Sequence, residues 1–230
     1  MWTTRHIRGL AGRLADLEVL ADHAANRDLA RLVARAAPNA IYYALAGQVT
    51  VWLIAFLGTT KAVAQVGALG RLAMVYGVVT AAFTAMGVPR FARAQFSGRH
   101  AALRVYWQAQ LVLGAPLLVL VVVIAAFPDV ALMLLGPEYR TLTHEVVLIA
   151  VSGALGTLSG AAYALAAARE VIVSPWLALP LALLLQIILI LTLPVATVGG
   201  VLWLGVLTNL GFWALYSLNF TLAAIRGDLN

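Results

Sequence analysis

The amino-acid sequence predicts an all-α membrane protein, a bundle of six transmembrane helices preceded by an amphipathic cytoplasmic helix. Of its 230 residues, 63% are hydrophobic and only 10% are charged, far from the averages of globular domains. Six apolar stretches are each close to the roughly 20 residues that a helix needs to cross a bilayer. They are Pro38–Leu57, Val63–Val88, Ala109–Phe127, Val146–Ala168, Val171–Leu193 and Gly200–Ile225.

Residues 1–36 differ from the rest of the chain because charges interrupt their apolar residues every few positions. Leu10, Leu14 and Leu17 recur at steps of three and four residues, which is typical of the apolar face of an amphipathic helix. This segment is predicted either to lie on the cytoplasmic leaflet or to be a linker from another membrane domain. It lacks the uninterrupted apolar core of a signal peptide. We therefore predict an interfacial segment at 1–36 and a six-helix bundle at 37–226.

The arginines predict the orientation of the helices, because loops rich in Lys and Arg stay in the cytoplasm. Twelve arginines fall on one side of the predicted spans, and only Lys61 and Arg140 fall on the other. The twelve are Arg5, Arg8, Arg13, Arg27, Arg31, Arg35, Arg90, Arg93, Arg99, Arg104, Arg169 and Arg226. We expect a multi-pass protein of the inner (cytoplasmic) cell membrane with both termini in the cytoplasm. The net charge of +6 then reflects topology and contact with membrane lipids, and no nucleic-acid partner is predicted.

Local motifs predict an interfacial loop, a bent helix and a close helix contact. After the third span, Val130–Leu135 is expected to be a short apolar piece at the interface, bounded by helix-breaking residues. Pro175 and Pro180 lie inside the fifth span and predict a kink there. The fourth span carries small residues at the spacing that lets membrane helices touch. They are Gly153, Gly156 and Gly160.

Catalytic and metal-binding patterns are missing from the sequence. The histidines lie outside the predicted spans, and no two of them have the helical spacing of metal ligands. They are His6, His23, His100 and His144. Ser159 lies among glycines, but the spacing differs from that of a nucleophile elbow. No carboxylate lies deep in an apolar stretch, where a proton relay would need one. We predict that the protein is not an enzyme and holds no metal or cofactor.

Arg71 is the one ionisable residue that interrupts an apolar stretch. An unpaired arginine facing lipid costs at least about 2.5–3.5 kcal/mol near the centre of a helix. One interpretation is an arginine that reaches the outer interface or a neighbouring helix. The other is a cationic group in a cavity that receives an anionic substrate, since the planar guanidinium binds phosphate well.

Three stretches resemble a known family in their order and spacing. Residues 58–93 contain a glycine turn, then Val66-Gly67-Ala68 and Arg71-Leu72, and end in Val88-Pro89-Arg90-Phe91-Ala92-Arg93. Leu132–Tyr139 has apolar residues, a glycine, two further residues and a tyrosine. The third stretch is the Gly/Ala-rich fourth span with the proline-containing fifth span. Over residues 37–225 the chain resembles the C-terminal six-helix half of the Wzx-like oligosaccharide flippases, in the multidrug/oligosaccharidyl-lipid/polysaccharide exporter superfamily.

The resemblance implies that the protein moves a lipid-linked oligosaccharide across the membrane by alternating access. Members of the family have two six-helix bundles around a cationic cavity, and this chain has the length of one. It is therefore expected to be a half-transporter or a truncated product. A second six-helix bundle, from another copy or another chain, is the expected partner. The alternative is a non-transporting membrane scaffold or partner subunit of a glycan-assembly complex.

Five residues are predicted to contact the substrate. A sugar diphosphate needs a wet groove with polar walls, and Gln48, Arg71 and Tyr76 are polar or aromatic residues of the first two spans. Arg90 and Arg93, at the cytoplasmic end of the second span, are predicted to meet the pyrophosphate as it enters. Orientation by positive charge is the other interpretation of these two arginines.

Overall fold

The computed structural model describes residues 37, 48–49, 51–96 and 98–227. These residues form helices and connecting turns, and no strand is present among them. The predicted amphipathic segment at 1–36 and most of the predicted span Pro38–Leu57 lie outside the described residues. Nearly all of the described part belongs to one compact unit, Ala46–Asn230.

In the described part of the chain, a helical segment at residues 51–57 precedes six α-helices and one 3-10 turn. They are α1 (Thr60–Arg93), α2 (Arg99–Ala126), α3 (Pro128–Met133), the 3-10 turn Pro137–Tyr139, α4 (Thr143–Ala167), α5 (Pro175–Thr192) and α6 (Val198–Arg226).

Four of these helices, α1, α2, α4 and α6, are long and apolar enough to cross a membrane. They contain most of the second, third, fourth and sixth predicted spans. The fifth apolar helix, α5, is shorter because residues 171–174 are not helical. The residue before a proline is disfavoured in the helical region of backbone angles, and Ser174, with a ψ of 128°, is not helical just before Pro175. Helix α5 then continues through Pro180.

The helix boundaries follow local chemistry at the turns. The side chains of Thr59 and Thr197 accept hydrogen bonds from the amides of Ala62, at 3.2 Å, and Gly200, at 3.0 Å. These hydroxyls satisfy amides that have no partner inside the helix. In the loop after α2, the apolar piece predicted at Val130–Leu135 largely coincides with α3. It ends at Gly136, whose φ of 115° favours glycine.

Helix α4 is the centre of the described bundle, because α1, α2 and α6 all pack against it. A Cβ atom on Gly153 would lie 2.5 Å from the ring of Tyr76 in α1, and one on Gly156 would lie 3.3 Å from Asn209 in α6. The predicted close contact is thus confirmed at these two glycines. A Cβ atom on Gly160 would meet nothing within 4 Å, so this glycine does not take part in it.

Two side-chain hydrogen-bond systems fix the position of α4 along its neighbours. The amide of Asn209 in α6 donates to the carbonyl oxygen of Ser152, at 3.1 Å, and to its hydroxyl, at 3.2 Å. The hydroxyl of Thr80 in α1 donates to that of Thr157, at 3.3 Å. Such bonds between membrane helices contribute about 0.6–2 kcal/mol each.

Candidate functional site

One side of α1 faces away from the described bundle. Only 6% of the residues in its most apolar stretch are buried, compared with 44% in α4 and α6. Residues about one or two turns apart form this side, which we call the exposed α1 face. It consists of Gly67, Arg71, Met74, Val78, Ala85 and Arg93, all of which are exposed.

Arg71 lies on this face towards the N-terminal end of α1. Its side chain is exposed and makes no hydrogen bond or ion pair with any described residue. Helices α1 and α4 run in the same direction, since Tyr76 meets Gly153 and Thr80 meets Thr157. This register places Arg71 about one helical turn from the level of Glu145, a carboxylate in the first turn of α4. That depth is within the reach of a snorkelling guanidinium.

Tyr76 lies on the other side of α1 from Arg71. It is 4% exposed and packs in a cluster with Leu113, Leu117 and Ala154. Its hydroxyl is buried and has no hydrogen-bond partner among the described residues. Residues five positions apart in a helix point about 140° away from each other. The structure therefore does not bring these two predicted site residues together.

Gln48 is exposed and lies in the short helical stretch at residues 48–49. It makes no hydrogen bond to the described part of the chain. The structure thus shows no direct link between Gln48 and Arg71.

Arg90 and Arg93 lie together in the last turn of α1, and both are exposed. Cations at this position interact favourably with the carbonyl end of the helix dipole. Arg93 is about six turns from Arg71 and within about 40° of it around the helix axis. The exposed α1 face therefore carries a cation near each end, with apolar or small side chains between them.

Arg90 also lines a groove between α1 and α2, which we call the α1–α2 groove. Both helices pack against α4 but contact each other little, so a gap remains between them. The groove has a volume of about 480 Å³. Its walls are largely apolar, and the polar side chains that line it are those of Arg90 and Gln108.

The sequence predicts only an orienting role for Arg169, and the structure shows further contacts of its side chain. Its guanidinium donates hydrogen bonds to the carbonyl oxygens of Phe91, at 2.9 Å, and Ala94. It also lies 4.2 Å from the ring centroid of Phe96. The last carbonyls of a helix lack partners within it. Arg169 supplies such partners and fastens the turn after α4 to the end of α1.

A buried polar contact between α2 and α6 was also missed. The hydroxyls of Tyr106 and Ser217 are 3.1 Å apart, and the Tyr106 ring stacks on Phe220 at 4.2 Å. The sequence gives no signal of this contact, because nothing connects a tyrosine and a serine that are more than 100 residues apart.

No group of three or more His, Cys, Asp or Glu side chains that could hold a metal ion occurs in the described residues. The prediction that the protein is not an enzyme stays a prediction.

Comparison with protein-family models, curated proteins and solved structures found no match to this chain. The resemblance to the oligosaccharide flippases therefore depends on the motifs of the sequence alone.

Proposed function

We propose that the protein flips a lipid-linked oligosaccharide across the inner membrane as one half of a two-bundle transporter. The observation that carries this proposal is the exposed α1 face, with Arg71 near one end and Arg93 near the other. Neither arginine pairs with a carboxylate among the described residues. With respect to the described residues, each guanidinium is available to bind the phosphate of a substrate through two parallel hydrogen bonds.

The distance between the arginines fits a path across the bilayer. At 1.5 Å per residue, Arg71 and Arg93 are about 33 Å apart along the helix axis, close to the roughly 30 Å thickness of the hydrocarbon core. A diphosphate released from Arg93 at the inner side would meet Arg71 near the outer side. Its lipid tail would remain in the bilayer throughout.

The residues between the two arginines support the expectation of a second bundle. Met74, Val78 and Ala85 cannot hydrogen-bond a sugar, and a polar head group needs polar walls while it crosses hydrocarbon. We propose that a second copy of the chain faces α1 and encloses the path. The substrate would then pass between two bundles, with the lipid tail held outside.

The placement of charges supports a cytoplasmic location for the C-terminal end of α6, whereas the predicted cytoplasmic N-terminus lies outside the described residues. Contacts bring Arg169 to the end of α1 and Tyr106 to Phe220 near the end of α6, so these helix ends lie on one side of the described bundle. Arg90, Arg93, Arg99, Arg104, Arg169 and Arg226 belong to that side. Lys61 and Arg140 belong to the other. This distribution favours the arginine-rich side as the cytoplasmic one.

Transport is tested with the purified full chain in liposomes that contain a polyprenyl-diphosphate-linked oligosaccharide. The measured quantity is the fraction of oligosaccharide that becomes accessible to an added glycosidase over time. We expect Arg71→Ala to slow flipping about tenfold, because it removes a charged hydrogen-bond donor to phosphate. Arg140→Ala, which removes an exposed arginine of the outer loop, is the matched control and should flip normally.

Two results would count against this proposal. If wild-type liposomes flip no faster than protein-free liposomes, the protein is not a transporter, and the scaffold alternative is favoured. If the Arg71→Ala protein flips at the wild-type rate, Arg71 has no part in the mechanism.

The second copy is tested separately by thiol cross-linking in native membranes. The chain contains no cysteine, so single-cysteine variants report one site each. Val78→Cys, on the exposed α1 face, is expected to give a covalent dimer with a short bifunctional thiol reagent. Leu177→Cys, an exposed residue of α5, should stay monomeric. Equal cross-linking at both sites, or none at Val78→Cys, would contradict the arrangement.

A further inference from the structure

We infer that the α1–α2 groove binds one acyl chain of an anionic membrane phospholipid, whose phosphate is held by Arg90. This inference does not depend on the transport proposal, because a bound lipid can occupy the groove whether or not the protein flips a substrate.

The groove follows the direction of the two helices. Its α1 wall contains Ala82, Met86 and Arg90, spaced one turn apart. Its α2 wall contains Gln108 and Val112, which have the same spacing. The groove therefore runs parallel to the two helices. Its walls are polar at the end near Arg90 and Gln108 and apolar along the rest of its length. A phospholipid has the same order of apolar tail and polar head.

The groove opens towards the space that lipid occupies. Met86 is 58% exposed and Val112 is 74% exposed, and both lie within helices that are long and apolar enough to cross a membrane. The volume of about 480 Å³ falls within the roughly 300–1,000 Å³ typical of small-molecule sites. An acyl chain covers apolar walls of this kind without leaving polar groups unpaired.

The charges around the inner end favour an anionic lipid over a neutral one. Arg104 lies one turn before Gln108 on the same side of α2. Arg93 is the last residue of α1, and Arg99 is the first residue of α2. None of these arginines, nor Arg90, forms an ion pair with a described carboxylate. Unpaired cations near the cytoplasmic leaflet attract anionic head groups, and a guanidinium binds a phosphate through two parallel hydrogen bonds.

The inference is tested by native mass spectrometry of the full chain released from nanodiscs of phosphatidylglycerol and phosphatidylcholine. We expect one phosphatidylglycerol to remain bound per chain, in preference to phosphatidylcholine. Arg90→Gln should weaken retention about tenfold or more, since it removes a charged hydrogen bond to phosphate. Val112→Trp should weaken it comparably by filling the groove. Val122→Trp, at an exposed α2 residue outside the groove, and Arg140→Gln should retain the lipid.

Circular dichroism of each variant ensures that only folded protein is compared. Arg90→Lys, which keeps the charge and disturbs packing least, should retain phosphatidylglycerol better than Arg90→Gln does. Equal retention of the two lipids by the wild-type protein would overturn the inference, and so would unchanged retention in Arg90→Gln or Val112→Trp. Glycerol phosphate, which has the head-group charge without the tail, should not displace the lipid. Displacement by it would mean that the groove contributes nothing.

Discussion

Gly153→Leu is expected to destabilise the bundle by about 3 kcal/mol or more, because it inserts a large side chain where two helices touch. A Cβ atom at Gly153 would lie 2.5 Å from the ring of Tyr76, and a leucine adds three further carbons. Tyr76 cannot move aside easily, because Leu113, Leu117 and Ala154 surround it. The clash therefore separates α1 from α4. The measurement is the denaturant or thermal midpoint of unfolding of the purified protein in detergent.

The matched control is Gly160→Leu in the same helix. Both variants replace a helical glycine by leucine, so the gain in helix propensity, up to about 1 kcal/mol, is common to both. Nothing lies within 4 Å of a Cβ atom at Gly160, so this variant should be as stable as the wild type or slightly more stable. If the two variants unfold at the same midpoint, the contact between Gly153 and Tyr76 does not contribute to stability.

The positions of the long helices were predictable because a helix that crosses a membrane needs an apolar stretch of roughly 20 residues, which is visible in the sequence. The spans Val63–Val88 and Ala109–Phe127 fall almost entirely inside α1 and α2. The helix starts were predictable for a local reason too, since Thr59 and Thr197, which cap α1 and α6, lie between predicted spans. The described residues contain four helices that are long and apolar enough to span a membrane, against the six predicted, because α5 is shorter and most of Pro38–Leu57 lies outside the described residues.

The side of each helix that is buried was much harder to predict. In a soluble helix, polar residues mark the exposed side, but a membrane helix is apolar on most sides. Gln48, Arg71 and Tyr76 were therefore grouped by chemistry alone. The structure places Arg71 on the exposed α1 face and Tyr76 in the core beside Gly153. Arg71 and Tyr76 are five positions apart, and such residues point about 140° away from each other in a helix. This spacing was the one signal in the sequence that the two side chains lie on different sides of α1.

The α1–α2 groove had no signal in the sequence. It exists because α1 and α2 both pack on α4 and little on each other, which is a property of the tertiary arrangement. Arg90 and Arg93 were predicted as an entry site from their charge and position in the chain. The structure adds that Arg90 lines the α1–α2 groove and that Arg93 lies on the exposed α1 face. Two neighbouring arginines thus lie on different surfaces.

Arg169→Gln is expected to destabilise the protein by about 2–4 kcal/mol. The substitution removes hydrogen bonds from a charged donor to the carbonyl oxygens of Phe91 and Ala94, and a charged bond is worth about 1.5–3 kcal/mol. It also removes the contact of the guanidinium with the Phe96 ring, which adds about 0.5–1 kcal/mol at a partly exposed site. The midpoint of unfolding in detergent measures the effect.

Two further variants separate the causes. Arg169→Lys keeps the charge over the aromatic ring, but an ammonium cannot reproduce the planar fork that reaches two carbonyls, so we expect about half of the loss. Arg93→Gln removes an exposed arginine from the same end of the bundle and should change stability by less than about 1 kcal/mol. If Arg93→Gln lowers the stability as much as Arg169→Gln does, the loss of stability comes from the lower net charge. The hydrogen bonds of Arg169 then do not hold the end of α1 in place.

The position of Arg169 also connects stability with the two proposed binding surfaces. Its hydrogen bonds hold the last turn of α1, and that turn carries both Arg90 and Arg93. An unfastened α1 end would let these arginines move away from the groove and from the exposed α1 face. Arg169→Gln should therefore weaken both phosphatidylglycerol retention and flipping, although Arg169 lines neither surface. Loss of stability with both activities intact would show that α1 holds its end in place without Arg169.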